Sequence, residues 1–212
     1  MATAIFSTAF LGPIEYYTQL LQHPDALLEI NEHFPKQTYR NRISIYGSNK
    51  KLTLSIPLQS RHRDRTAAKN IKISYNDNWQ LILWRSITTA YRSAPFFEYY
   101  EAELEKLIFS KPEYLLEYNN LFHNWVCTKM KLNIKLTPTE SYEKEHAGLV
   151  DFRISIHPKT NEEFKHEEYM QVFSDKLGFM HNLSILDLLF NEGPHGISIL
   201  KRWEIFLKNI WL

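Results

Sequence analysis

The chain has 212 residues with 25 basic and 24 acidic side chains, a formal charge of +1, 44% hydrophobic residues and a single cysteine. That length buries a substantial core as one domain spanning residues 1–212, and the composition is that of an ordinary globular protein rather than a disordered or fibrous one. The balanced charge excludes a global field for nucleic acid or anionic lipid, and a lone Cys127 excludes a disulfide framework and a multi-thiolate zinc site.

In chain order, Ala4 to Ser7 is a short apolar run closed by Gly12-Pro13, after which Ile14, Tyr17, Leu20 and Leu21 recur at helical spacing. Strand, turn and helix are expected. The start of the chain lacks a basic region and a long apolar stretch, so a signal peptide is not expected, nor is a membrane span anywhere. With the reduced cysteine content, a cytoplasmic setting follows. Ala26 to Ile30 is a second apolar run. Ile43 to Tyr46 and Leu52 to Ile56 alternate around Gly47-Ser48-Asn49, which is a hairpin signal. The basic stretch from Ser60 to Asn70, with Arg61, His62, Arg63 and Arg65, reads as a solvated loop before a short strand at Ile71 to Ser74.

Asn78 is placed to cap a helix carrying Trp79, Leu83, Ile87 and Tyr91 on its apolar side. Pro95 and Pro112 open two further candidates, the first with Tyr100, Leu104 and Leu107, the second with Leu115, Phe122 and Val126. Beyond Pro138 the pattern is irregular until Tyr169 to Phe173, which reads as a strand. Ser184 with Asp187 three positions on resembles a capping box, Gly193-Pro194 stops that helix, and Ile199 to Trp211 forms the last. The expected fold class is mixed α/β, with a short-stranded sheet and a helical middle and C-terminal part.

Several segments carry candidate chemistry. In Tyr39-Arg40-Asn41-Arg42 an extended backbone would direct both guanidiniums to one face, as an anion clamp or, at about even odds, as surface ion pairs. Asp151 and Arg153 share the same alternation, and His157 and Lys159 follow with a group titrating near neutrality and a cation. The alternative there is a solvated loop ion pair, and His157 as a base is the weakest element. Gln171, between Tyr169 and Phe173, needs a buried partner, either a ligand or the backbone. Asn182 and Ser184 precede a helix whose amides could receive an anion or could simply be capped. The nine histidines form no metal signature, and no Walker loop, dinucleotide fingerprint or nucleophile elbow is present.

Phe10 to Pro13 with Tyr16-Tyr17, Tyr39 to Arg42, Leu54 to Pro57, Ser93 to Tyr100, Asp151 to Arg153, and Asn182 to Pro194 together resemble the WbqC-like family. That family takes its name from a protein of a surface-polysaccharide (O-antigen) cluster. The resemblance implies a bacterial source and a role in envelope precursor synthesis. Relatives commonly place a histidine after the helix-opening Trp, where this chain has Leu83.

On this footing the leading expectation is an enzyme that transfers a group on a sugar nucleotide or related anionic small molecule. Arg40 and Arg42 would hold phosphate or carboxylate, flanked by Tyr39 and Asn41. Asp151 and Arg153 would orient the acceptor and Lys159 would stabilise developing negative charge. Tyr169, Gln171, Asn182, Ser184 and Asp187 would shape the pocket. No cofactor and no metal is assigned. The alternative is a non-catalytic binding or scaffold protein that meets a protein partner in envelope assembly; nucleic acid is not an expected partner.

Overall fold

The computed structural model describes residues 2–59, 65–159 and 168–202. Its centre is a sheet built from the first apolar run. Strand β1 (Ala4–Ser7) is buried along its whole length, the pattern of a strand covered on both faces. It pairs in parallel with β2 (Asp25–Glu29) on one side and β6 (Val150–Asp151) on the other, while β2 pairs in parallel with β5 (Lys135–Pro138). The order is β5-β2-β1-β6. Parallel neighbours need a long crossover, and helix α1 (Ile14–Gln22) supplies it between β1 and β2. Pro138 closes the edge strand β5, a position where its missing N–H matters least.

The hairpin forms as its alternation predicts, with β3 (Arg42–Tyr46) antiparallel to β4 (Lys51–Ser55). Gly47 is required at its tip, because a Cβ there would lie 2.7 Å from the Lys50 carbonyl oxygen. Three helices fill the middle of the chain: α2 (Trp79–Tyr91), α3 (Phe97–Ile108) and α4 (Leu115–Lys129). The apolar stripes of α2 and α3 meet α6 (Ile185–Glu192), which is buried from Ile185 through Asn191. Phe190 of α6 sits against the rings of Tyr91 and Phe97, with centroids 5.2 Å away in each case, and so ties α2, α3 and α6 into one core. Gly193 ends α6 at φ 56°, and a Cβ there would strike the Phe96 ring. A short helix α5 (Ser174–Leu177) precedes α6, and α7 (Gly196–Arg202) follows it.

The structure departs from the sequence reading in several places. Tyr39-Arg40 lies in a turn, and only Arg42 enters a strand, so the two arginines do not share an extended face. Tyr169 to Phe173 is not a strand. Its alternation arises because the Tyr169 and Gln171 side chains turn inward onto a buried carboxylate. Ser184 caps α6 by accepting from the Leu186 amide, but Asp187 does not return the bond that completes a capping box, because its carboxylate is held by Tyr169 and Gln171. Asn78 precedes α2 without a side-chain cap bond, and α3 and α4 begin two and three residues after their prolines. Ile71 to Ser74 makes isolated bridges to Leu58 and Tyr114 instead of a strand. The last helix begins at Gly196. Its expected continuation to Trp211, and the Ser60 to Asp64 part of the basic loop, lie outside the described residues.

Candidate functional site

In the order β5-β2-β1-β6, the chain leaves β1 toward β2 on one side and returns on the other side as β6. Loops that diverge in this way open a crevice at the carboxyl ends of the strands, which is where parallel sheets generally bind ligands. Ser7, Glu29 and Asp151 mark those ends here. A cleft of about 390 Å³ lies there, lined by Asn31, Glu32, His33, Pro35, Lys36, Thr38, Arg40, Tyr142, Arg153, Ile154 and His157.

Arg40 forms part of the cleft floor. Its Nε donates to Glu32 Oε1 and its Nη2 to Glu32 Oε2, both at 2.8 Å, a bidentate pair that is nearly fully buried. Nη2 also donates to the Ser7 hydroxyl at the end of β1 and to the Arg153 carbonyl oxygen at 3.3 Å. Among the described residues Nη1 makes no hydrogen bond, so one donor edge of a rigidly held guanidinium is uncommitted.

Arg153 is committed throughout. Nε bonds both Asp151 oxygens at 3.0 Å, Nη1 donates to Glu29 at 3.3 Å and to the Glu143 carbonyl oxygen at 2.8 Å, and Nη2 donates to Asp151 and to the Lys144 carbonyl oxygen. Burial would raise the Asp151 carboxyl, but the hydrogen bonds and charge of Arg153 outweigh it and hold the group below its ordinary value. Glu29 is fully buried and accepts as well from the Asn31 amide at 2.7 Å and the Thr139 hydroxyl at 2.9 Å. Arg153 therefore neutralises two carboxylates and pins the backbone of the loop that carries Tyr142.

His157 lines the same cleft, and its Nδ1 accepts from the Lys159 amide at 3.2 Å. Burial, then the charges of Lys159 and Arg40, lower its pKa, so the ring is neutral at physiological pH with its proton on Nε2. It is a hydrogen-bond donor in that state. Lys36 and His33 are exposed on the lining. Glu32 is the one carboxylate there, against two arginines, a lysine and two imidazoles.

Of the residues singled out in the sequence, Arg40, Arg153 and His157 meet at the cleft, and Asp151 supports Arg153 from behind it. Tyr39 borders a smaller niche beside Arg40. Asn41 is a bracket, its Nδ2 donating to the Ile56 carbonyl oxygen at 2.9 Å. Arg42, paired with Ser55 in the hairpin, and Lys159, exposed, do not line the cleft. The others lie elsewhere. Asp187 is completely buried and takes bonds from the Tyr169 hydroxyl and from Gln171 Nε2 at 2.8 Å; Gln171 also clasps the Met180 backbone at both amide ends. Asn182 exchanges bonds with the Glu15 backbone and side chain, and the Ser184 hydroxyl donates to the Leu11 carbonyl oxygen. These contacts are internal to the fold.

His123 and Cys127 approach to 3.5 Å, the spacing of a nucleophile and its base. Burial lowers the imidazole to about 4 and raises the thiol to about 12, both away from the imidazolium–thiolate pair that nucleophilic chemistry needs. Among the described residues no group of His, Cys, Asp and Glu is arranged to hold a metal ion, and no helix is long and apolar enough to cross a membrane. Asn31, Glu32, His33, Lys36, Thr38, Tyr142 and Ile154 were not singled out by sequence reasoning. Their one available signal was position, in loops that follow parallel strands.

The profile of the WbqC-like protein family matches residues 9–163. The chain belongs to the WbqC-like protein family. The matched span of this WbqC-like protein contains every residue that lines the cleft. No curated protein and no solved structure gives a match. Leu83, where the resemblance places a histidine, is buried in the core and absent from the cleft lining.

Proposed function

We propose that this WbqC-like protein binds an anionic small molecule in the cleft at the carboxyl edge of its parallel sheet and transfers a group on it, as a cytoplasmic enzyme of surface-polysaccharide or envelope precursor synthesis. A sugar nucleotide or a related phosphorylated precursor fits this reading best. The observation that carries it is the preorganised Arg40 guanidinium, fixed by Glu32 and Ser7 with its Nη1 uncommitted among the described residues, which lines a cavity together with Lys36 and a neutral His157.

Preorganisation matters because a donor already held in place gives up little further conformational freedom when ligand arrives. In this reading Arg40 Nη1 and Lys36 take the negative charge. His157 Nε2 donates to oxygen that gains charge during transfer, and Arg153, clamped by Asp151 and Glu29, holds the cleft wall in shape. Lys159 acts through its backbone N–H, which sets the His157 tautomer. Protein partners, if any, would meet exposed side chains such as Ile82 and Tyr99, but single exposed apolar residues are ordinary surface features and carry that alternative less far.

Isothermal titration of the protein with sugar nucleotides, acyl donors and amino acids tests the reading. Heat of binding is expected with phosphate-bearing compounds and should fall at least tenfold in affinity when Lys36→Ala and His157→Ala are combined, since each removes a hydrogen bond to a charged group. A silent panel would overturn it.

A further inference from the structure

The cleft has two chemically different halves. Lys36, His33 and Arg40 supply cationic or hydrogen-donating atoms, while Tyr142 and Ile154 supply apolar surface in the same cavity. Ile154 is 81% exposed and Tyr142 53% exposed. A lone exposed isoleucine would mean little. What makes the pair informative is the residue they share.

Arg153 immediately precedes Ile154, and its guanidinium carbon lies over the Tyr142 ring at 5.6 Å from the centroid. Because that guanidinium is spent on Asp151 and Glu29, it cannot swing out to meet a ligand. It backs the tyrosine instead. The same side chain holds the Glu143 and Lys144 carbonyl oxygens at 2.8 and 2.9 Å, which fixes the backbone next to Tyr142. The ring is thus a flat surface backed on one side by a fixed guanidinium, on an exposed residue that lines the cleft together with an open aliphatic side chain. A platform of this kind favours a planar heterocycle, since stacking on an aromatic face needs no particular hydrogen-bond pattern.

We infer that the cleft takes a nucleoside diphosphate group, its base lying on Tyr142 and Ile154 and its two phosphates reaching Lys36 and Arg40. This rests on the anion-binding reading of the cleft and adds to it the ligand class and the residues that distinguish a nucleotide from a bare phosphate. The volume, about 390 Å³, falls in the lower part of the range of small-molecule sites, roughly 300–1,000 Å³.

The test compares uridine, guanosine and adenosine diphosphates with inorganic pyrophosphate by calorimetric titration of the full chain and of Tyr142→Ala, Tyr142→Phe, Ile154→Ala and Lys36→Ala. Both platform residues are exposed, so the variants are expected to melt at the wild-type temperature. Expected are a roughly tenfold to hundredfold loss of nucleoside diphosphate affinity in Tyr142→Ala, near-full retention in Tyr142→Phe, a smaller loss in Ile154→Ala and unchanged pyrophosphate binding in all three. Lys36→Ala weakens both ligand types. Nucleoside diphosphates that bind no better than pyrophosphate, or that bind equally to Tyr142→Ala, would overturn the inference and leave the anion site standing. Absence of binding by nucleotides and pyrophosphate alike would overturn both.

Discussion

Two regions of this protein hold carboxylates in opposite ways. At the carboxyl edge of the sheet Asp151 and Glu29 are met by a full counter-charge, the Arg153 guanidinium, and the Asp151 carboxyl is held low. Under α6, Asp187 is met by the neutral donors Tyr169 and Gln171, and burial pushes it up to about 6 despite their bonds. A buried charge persists where an opposite charge is at hand and tends to take up a proton where only neutral dipoles surround it. The first arrangement keeps ions beside an open cavity, where a ligand can use the field. The second seals a carboxyl inside the fold, where its work is to tie the segment from Tyr169 to Met180 onto α6.

The sharpest break in the comparison is Arg153→Ala. It strands Glu29 without its counter-charge and frees the Tyr142 loop, so a loss of about 3–5 kcal/mol in urea unfolding is expected. Truncation that cost under ~1 kcal/mol would mean that the clamp is a surface ion pair.

Asp187→Asn should act on pH dependence. A carboxyl raised from 3.8 to about 6 in the folded state favours folding when protonated. That contribution is full below the unfolded value near 4 and disappears as pH rises through about 6, for a total of about 3 kcal/mol. Wild-type stability should therefore decline across that window, and Asp187→Asn should flatten the decline in melting temperature followed between pH 4 and 7. Glu15, pushed up to about 7 by burial, adds a decline of the same sign that the variant keeps. An unchanged slope would place the Asp187 proton elsewhere.

The smallest expected effects test Arg42, one of the two arginines that the sequence presented as a pair, against Lys36 of the cleft. Arg42→Ala should leave ligand affinity as it was, because the residue belongs to the hairpin and not to the cleft lining. Lys36→Ala, three loop residues after the exposed His33, should weaken an anion by roughly tenfold without altering stability.

The fate of that pair also shows what could be read in advance. The hairpin, α1 and the three middle helices were legible because burial imposes periods of two or 3.6 on them, and β1 as an unbroken apolar run, with glycine and proline at the breaks. Strands β5 and β6 were not, since they are short and mostly exposed and their pairing with β2 and β1 leaves no pattern along the chain. Arg40 and Arg153 could be named as cationic candidates, but alternation could not reveal that a turn at Tyr39-Arg40 sends one arginine to the cleft and the next into a hairpin. Tyr169 and Gln171 mimicked a strand because side-chain bonds to Asp187, not a backbone ladder, dictate which of them face inward. Asn31, His33, Lys36 and Tyr142 are unremarkable loop residues until the sheet order brings the ends of β2 and β6 to the same edge.

In the proposed function, negative charge is received at Arg40 and Lys36. A crystal soaked with a nucleoside diphosphate sugar tests it most directly. Density for the phosphates within hydrogen-bond distance of Arg40 Nη1 and Lys36 Nζ is the predicted result. Density lodged instead in the open groove of Lys50 and Arg85 beside the hairpin, with the cleft unfilled, would contradict it.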